Sequence, residues 1–167
     1  GRKGGRFNVT VSVSNFVPKP HTPFQWFPQN SASEFMEKHY YLKDRLKGVR
    51  GVTFHYHHAE TSIIEAVLAR GDRRLSALLQ EAWSLGCRFD GWSEHFRYSL
   101  WEKAFENAGL SMDFYAARTR SYGEILPWDH IDSAVTKEFL IRENEEALKE
   151  ALTPDCRLGC TACGVNQ

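Results

Sequence analysis

The sequence predicts an α+β chain, with a small parallel β–α–β portion of α/β character followed by a mainly helical extension. Three observations carry this. Phe7–Ser14 and Val52–His57 alternate apolar and polar residues with the period of two that a half-buried strand requires. A helical pattern with its own start and stop signals lies between them. After residue 58, each remaining periodic segment has helical spacing.

In the first strand Phe7, Val9, Val11 and Val13 alternate with Asn8, Thr10, Ser12 and Ser14. The stretch PKPHTPFQWFP follows with four of the chain's six prolines, which can continue neither a ladder nor a helix, so it reads as a stiff extended loop. Ser31 and Glu34 form a capping-box pattern, and Phe35, His39, Leu42 and Leu46 follow at helical spacing up to Gly48. The second strand sets Val52, Phe54 and Tyr56 on one face and Thr53, His55 and His57 on the other. A strand, helix and strand within about fifty residues predict a right-handed crossover and parallel pairing.

Ser62 and Glu65 open the next helix, with Ile64, Val67 and Leu68 along it and Gly71, in a left-handed conformation, to close it. Asp72 caps a further helix whose inward residues are Leu75, Leu78, Leu79, Ala82 and Trp83, with Gly86 as its stop. Ser99 and Glu102 start another that ends at Gly109, and Ser111 caps a short turn through Tyr115. The last helix runs from Ala134 to Ala151, where Thr153-Pro154 ends it. The chain thus divides into residues 1–58, a barrel-like β–α–β segment, 59–152, a helical extension, and 153–167, a cysteine-rich tail. Two strands make only a marginal sheet by themselves, which implies further strands in a preceding part of a longer chain.

The 167 residues carry 21 basic and 21 acidic side chains, so no global field draws the protein to nucleic acid or to an anionic membrane. No apolar run approaches the roughly 18 residues of a membrane span, and GRKGGRFN lacks the apolar stretch of a signal peptide. These features read as a cytoplasmic protein. Cys87 stands alone, whereas Cys156, Cys160 and Cys163 crowd the tail TPDCRLGCTACGVNQ at the spacing C-x3-C-x2-C. Thiolates this close suit zinc or an iron–sulfur cluster, since both prefer sulfur, and Gly159 and Gly164 let the backbone wrap. Three thiols leave a fourth position for Cys87, His130 or a distant group.

Weaker candidates lie elsewhere. In HYHH, His55 and His57 share a strand face and can present two imidazoles to a metal, although such pairs are more often solvent-facing. Arg73 and Arg74 of RGDRR sit at a helix start, where an anion binds well, or else brace a capped corner. FDGWSEHF combines dense aromatics with Asp90, Glu94 and His95. In PWDHID, Asp129, His130 and Asp132 can ligate a metal or cap the last helix.

Five of these strings, in order, resemble one family. VSVSNFVPKPHTPFQW is similar to a late barrel strand of radical SAM proteins and the loop after it. LARGDRRL, AWSLGCRFDGWSEHF, PWDHID and TPDCRLGCTACG resemble the C-terminal region of the cobalamin (B12)-binding radical SAM proteins, a likeness running from Phe7 to Gly164. The resemblance implies a longer parent: a cobalamin-binding domain, a radical SAM barrel whose 4Fe-4S cluster binds S-adenosylmethionine, then this region. It places His21 and Thr22 near the barrel mouth. The tail would hold an auxiliary cluster or metal, because Ala162 stands where the cleavage motif usually has an aromatic residue and a helix precedes it. The chain alone would then be inactive, its partners being the N-terminal radical SAM and cobalamin-binding parts. The alternative is a non-catalytic zinc-stabilised module for protein or RNA contact, of which balanced charge weakens the RNA version.

Overall fold

A computed structural model describes residues 7–165 and is α+β, with two strands and six helices among the described residues. β1 (Val9–Val13), α1 (Ala32–Leu46) and β2 (Val52–Tyr56) come first, followed by α2 (Ala59–Ala69), α3 (Leu75–Leu85), α4 (Tyr98–Ala108), α5 (Met112–Ala116) and α6 (Lys137–Leu148). β1 and β2 pair in parallel, as the strand–helix–strand order predicts, with Val9 opposite Val52 and Val13 opposite Tyr56. Val11, Val13, Phe54 and Tyr56 are half-buried, while Thr10, Ser12, Thr53 and His55 are exposed. Both strands are shorter than their patterns. The last ladder bond runs from His57 N–H to Val13 O at 3.2 Å, after which Asn15 turns inward. At the other end Gly51 (φ +81°) lies against the incoming chain, and a Cβ there would stand 2.5 Å from Phe7 O.

α1 starts as its capping box dictates. Ser31 Oγ accepts the Glu34 N–H at 3.3 Å and Glu34 Oε2 accepts the Ser31 N–H at 2.7 Å. Phe35 and His39 are its buried residues.

Four helix starts differ from their sequence signals. α2 begins at Ala59, so Ser62 is no cap. It lies inside the helix, buried, where its Oγ donates to His58 O at 3.2 Å and accepts from Asn15 Nδ2 at 3.0 Å. α3 begins at Leu75 rather than after Asp72, whose carboxylate closes the preceding turn by accepting the Arg74 N–H at 2.9 Å. α4 begins at Tyr98 with no side-chain cap. α6 begins at Lys137, because Thr136 Oγ1 takes the Phe139 N–H at 3.2 Å and Ala134 sits at φ +61°, outside the helical region. α5, like α1, follows its predicted cap, with Ser111 Oγ accepting from Phe114 N–H at 3.4 Å.

Two further expectations are corrected. Gly71 is not left-handed. It is glycine for space, since a Cβ there would lie 1.9 Å from Leu75 Cδ1 and 2.9 Å from Val67 O. Leu79 and Trp83 do not face inward but are 46% and 59% exposed, because Leu75, Leu78 and Ala82 alone form the stripe that is buried.

One core gathers Ile64, Val67, Leu78, Trp101, Phe105 and Tyr115 from α2 to α5. A second joins Trp26, Leu126, Trp128 and Leu140, and so links the proline-rich loop to α6. Among the described residues no helix is long and apolar enough to cross a membrane.

Candidate functional site

The loop after β1 is folded by buried side-chain amides. Asn15 donates through Nδ2 to His57 O at 3.1 Å and Ser62 Oγ at 3.0 Å, and its Oδ1 lies 2.9 Å from His39 Nε2. One residue thereby ties the ends of both strands to α1 and α2. His39 is buried, and this burial, together with the nearby His58, pushes its pKa below the ordinary imidazole value. Gln29 continues the lattice, donating from Nε2 to Ser62 O at 3.0 Å, while its backbone N–H reaches Ala116 O at 2.9 Å. The loop is therefore anchored to the helical region along its length.

These anchors place the HTPFQW string against PWDHID. Gln25, 3% exposed, accepts through Oε1 both the His21 N–H (3.0 Å) and the Trp128 Nε1–H (2.7 Å), a contact across 103 residues of chain. Around it lies a pocket of about 410 Å³ lined by His21, Gln25, Asp129, His130, Asp132 and Lys137, with Leu140 and Val135 as apolar wall. Asp129 Oδ2 accepts from Leu126 N–H at 3.0 Å and from Lys137 Nζ at 3.2 Å. His21 adopts φ +56°, a left-handed conformation that costs about 1 kcal/mol outside glycine, and its Nε2 is buried without a partner among the described residues. Thr22 stands beside it with its Oγ1 donating to Lys19 O at 2.8 Å.

The pocket's neighbour is a cationic corner. Arg73 and Arg74 border a groove of about 780 Å³ with Asp72, Pro127 and His130. Arg74 is committed to Asp72 (Nη2 to Oδ2, 2.6 Å) and lies over the rings of Phe114 and Tyr115 at 5.1 and 5.7 Å, so its charge is already answered. Asp72 is held below the usual carboxylate range by that guanidinium. Behind them Arg70 is wholly buried, donating from Nη1 to Ala116 O at 2.6 Å and from Nη2 to Arg118 O at 3.1 Å. Arg120, buried over the Trp128 ring, donates to Arg70 O at 2.8 Å. Arg118 pairs with Glu124.

The remaining expected ligands do not converge. His55 and His57 are exposed on the polar strand face, as is His130 on its loop. Among the described residues no three His, Cys, Asp or Glu side chains are grouped closely enough to hold a metal ion. Cys156 and Cys160 are exposed and Cys163 is half-buried. The donor chemistry suits zinc or a cluster, and Cys160 Sγ already accepts the Ala162 N–H at 3.4 Å, but the thiols are not gathered around a common point. The end of the tail is docked. Thr136 N–H donates to Cys163 O at 2.9 Å, and Gly164 (φ +104°) packs so closely that a Cβ would stand 2.7 Å from Thr136 Cγ2. Cys163 thus lies behind the segment that walls the pocket.

Cys87 is buried in the helical core, which pushes its thiol pKa up. With a thiol-labelling reagent under native conditions, Cys156 and Cys160 are expected to react at least about 100-fold faster than Cys87, which must wait for local opening. Mass-spectrometric mapping after brief labelling checks this, and equal labelling of Cys87 would contradict its burial.

Sequence reasoning missed Asn15, Gln25, Gln29, Arg70 and Arg120. Each is a polar residue in a segment that reads as loop or helix end, and no periodicity marks such a residue as buried. Comparison of the chain with protein-family models, curated proteins and solved structures finds no match.

Proposed function

We propose that this chain is the closing segment of a radical SAM iron–sulfur enzyme, contributing the last barrel strands and a substrate-side pocket while its tail thiols take an auxiliary cluster or zinc. The observation that carries this reading is the sheet: two parallel strands whose outer edges have no strand partner among the described residues, with the pocket-forming loop leaving the C-terminal end of β1. A two-stranded parallel sheet is poorly stable alone, and in barrels sites lie at the strands' C-terminal ends. The sheet face bearing Thr10, Ser12, Thr53 and His55 is polar, as suits the inside of a barrel that admits a ligand.

A second support is spatial. Four of the five strings behind the family resemblance meet in one region. His21 and Gln25 share the pocket with Asp129 and Asp132, Arg73 flanks the adjoining groove, and Cys163 backs Thr136. S-adenosylmethionine and cobalamin would belong to the preceding parts of the parent.

The test is anaerobic reconstitution with iron and sulfide. Iron is expected to load on the chain, to fall at least about tenfold in Cys160→Ser, and to stay near the unsubstituted level in Cys87→Ser. Incubation with dithionite and S-adenosylmethionine should release no 5′-deoxyadenosine above a protein-free control. Release of that product, or tail thiols that bind no metal, would overturn the reading. A colourless chain loaded with zinc would instead favour the structural module.

A further inference from the structure

We propose that the pocket between the proline-rich loop and the start of α6 binds the oxyanion head of a small metabolite, a carboxylate or a phosphate monoester, through Gln25, His21 and Lys137. This names a ligand class for the pocket of the reading above, yet it stands on geometry that does not involve the tail.

The pocket leaves donors at Gln25 and Lys137 that no described group uses. Gln25 is nine-tenths buried, and both of its Oε1 contacts are with N–H donors, which fixes the orientation of the carboxamide. No hydrogen bond from its NH2 is formed among the described residues, and Gln25 lines the pocket. The buried His21 Nε2 is also unpartnered among them. Lys137 uses Nζ protons on Glu124 O and Asp129 Oδ2, both at 3.2 Å, and an ammonium has a third. Lys137 is also the first residue of α6, a helix of 12 residues, so the helix's positive end opens on the same space.

The two carboxylates facing the pocket, Asp129 and Asp132, each have one oxygen engaged. Asp129 Oδ2 accepts two donors, and Asp132 Oδ1 takes the Ala134 N–H at 2.8 Å. The Gln25 NH2 and the third Lys137 proton, beside a helix start, match an acceptor oxygen on the ligand. Leu140 and Val135 supply a wall for the ligand's apolar stem, and about 410 Å³ admits a molecule of modest size.

His21 stands at φ +56°, and the Gln25 carboxamide clamps its N–H and so sets the ring at the pocket wall.

NMR titration of the 15N-labelled chain tests this, with sodium acetate, sodium phosphate and sodium chloride at matched ionic strength. The expected result is saturable shifts at the Gln25 side-chain NH2, the His21 ring and the Lys137 amide with acetate, phosphate or both, and none that saturate with chloride. Saturation with acetate alone assigns a carboxylate, and with phosphate alone a phosphate ester. Gln25→Glu replaces the donor by a like charge and keeps an oxygen for the two N–H groups, so it should weaken binding at least tenfold. His21→Asn tolerates the left-handed backbone and should weaken it about fivefold. It decides the matter if Gln25→Glu does not fold. Linear shifts with both oxyanions, or variants that bind as the parent chain does, would overturn the proposal. Iron loading of the tail is read separately, so either idea can fail without the other.

Discussion

Arg70→Ala is expected to lower the free energy of unfolding by about 3–5 kcal/mol, the range seen when a buried charged anchor is removed. The side chain is wholly buried at the end of α2, and its two donors hold the carbonyls of Ala116 and Arg118. Truncation leaves those carbonyls short of a donor and opens a cavity that α2 and α5 cannot close without moving. The segment that Arg70 supports carries Arg120 and leads to Trp128, so the pocket should loosen with it.

Charge and shape can be separated. Burial, and then the neighbouring Arg120 and Arg118, push the Arg70 pKa down to about 10. Folding therefore carries a charge penalty, full below that pH and relieved as pH rises further, because the unfolded chain holds the proton longer. Arg70→Met keeps the volume and removes the penalty, and should cost only about half as much as Arg70→Ala. Urea unfolding of the three proteins measures both, and a loss below about 1 kcal/mol in Arg70→Ala would show the anchor to be dispensable.

Asn15→Ala should cost about 3 kcal/mol, since it removes the shared partner of four groups. The acceptors at His57, His58 and Ser62 lose their donor, and His39 Nε2 loses its acceptor. The link between sheet and helices is the part most exposed to this loss. His39 adds a pH signature. Its folded pKa lies below the ordinary 6.5, so the neutral form is the one the fold accepts. Stability from this residue is complete above 6.5 and is lost as pH falls through that value towards the lower folded one. The drop in melting temperature between pH 7.5 and 5.5 should be reduced in His39→Gln, which keeps a donor for Asn15 without a titrating ring. An unchanged drop would show that other groups carry the acid sensitivity.

The elements were legible because their signals are local. Alternation at Val9–Val13 and Val52–Tyr56 set the strands, the strand–helix–strand order set their parallel pairing, and the Ser31–Glu34 box and the left-handed Gly86 and Gly109 marked helix ends. The errors were also local. Ser62 carries a cap's chemistry and yet sits inside α2, because burial next to Asn15 outweighs its capping preference. Leu79 and Trp83 are apolar but exposed, since α3 buries only a narrow stripe. Hydrophobicity states what a residue can bury and leaves open whether a neighbour covers it.

The sequence by itself determined the order of secondary structure, the pairing of the strands and the chemical inventory of each motif, because these depend on spacings of two to four residues or on residue type alone. Only the tertiary structure decided which motifs share a site. His21 was a barrel-mouth candidate and His130 a weak ligand, in strings more than a hundred residues apart, and the Gln25–Trp128 hydrogen bond brings them to one pocket. Conversely, the three tail cysteines lie within eight residues and still do not converge in the fold. Closeness along a chain sets the entropy of bringing groups together, whereas packing and buried hydrogen bonds set whether they meet.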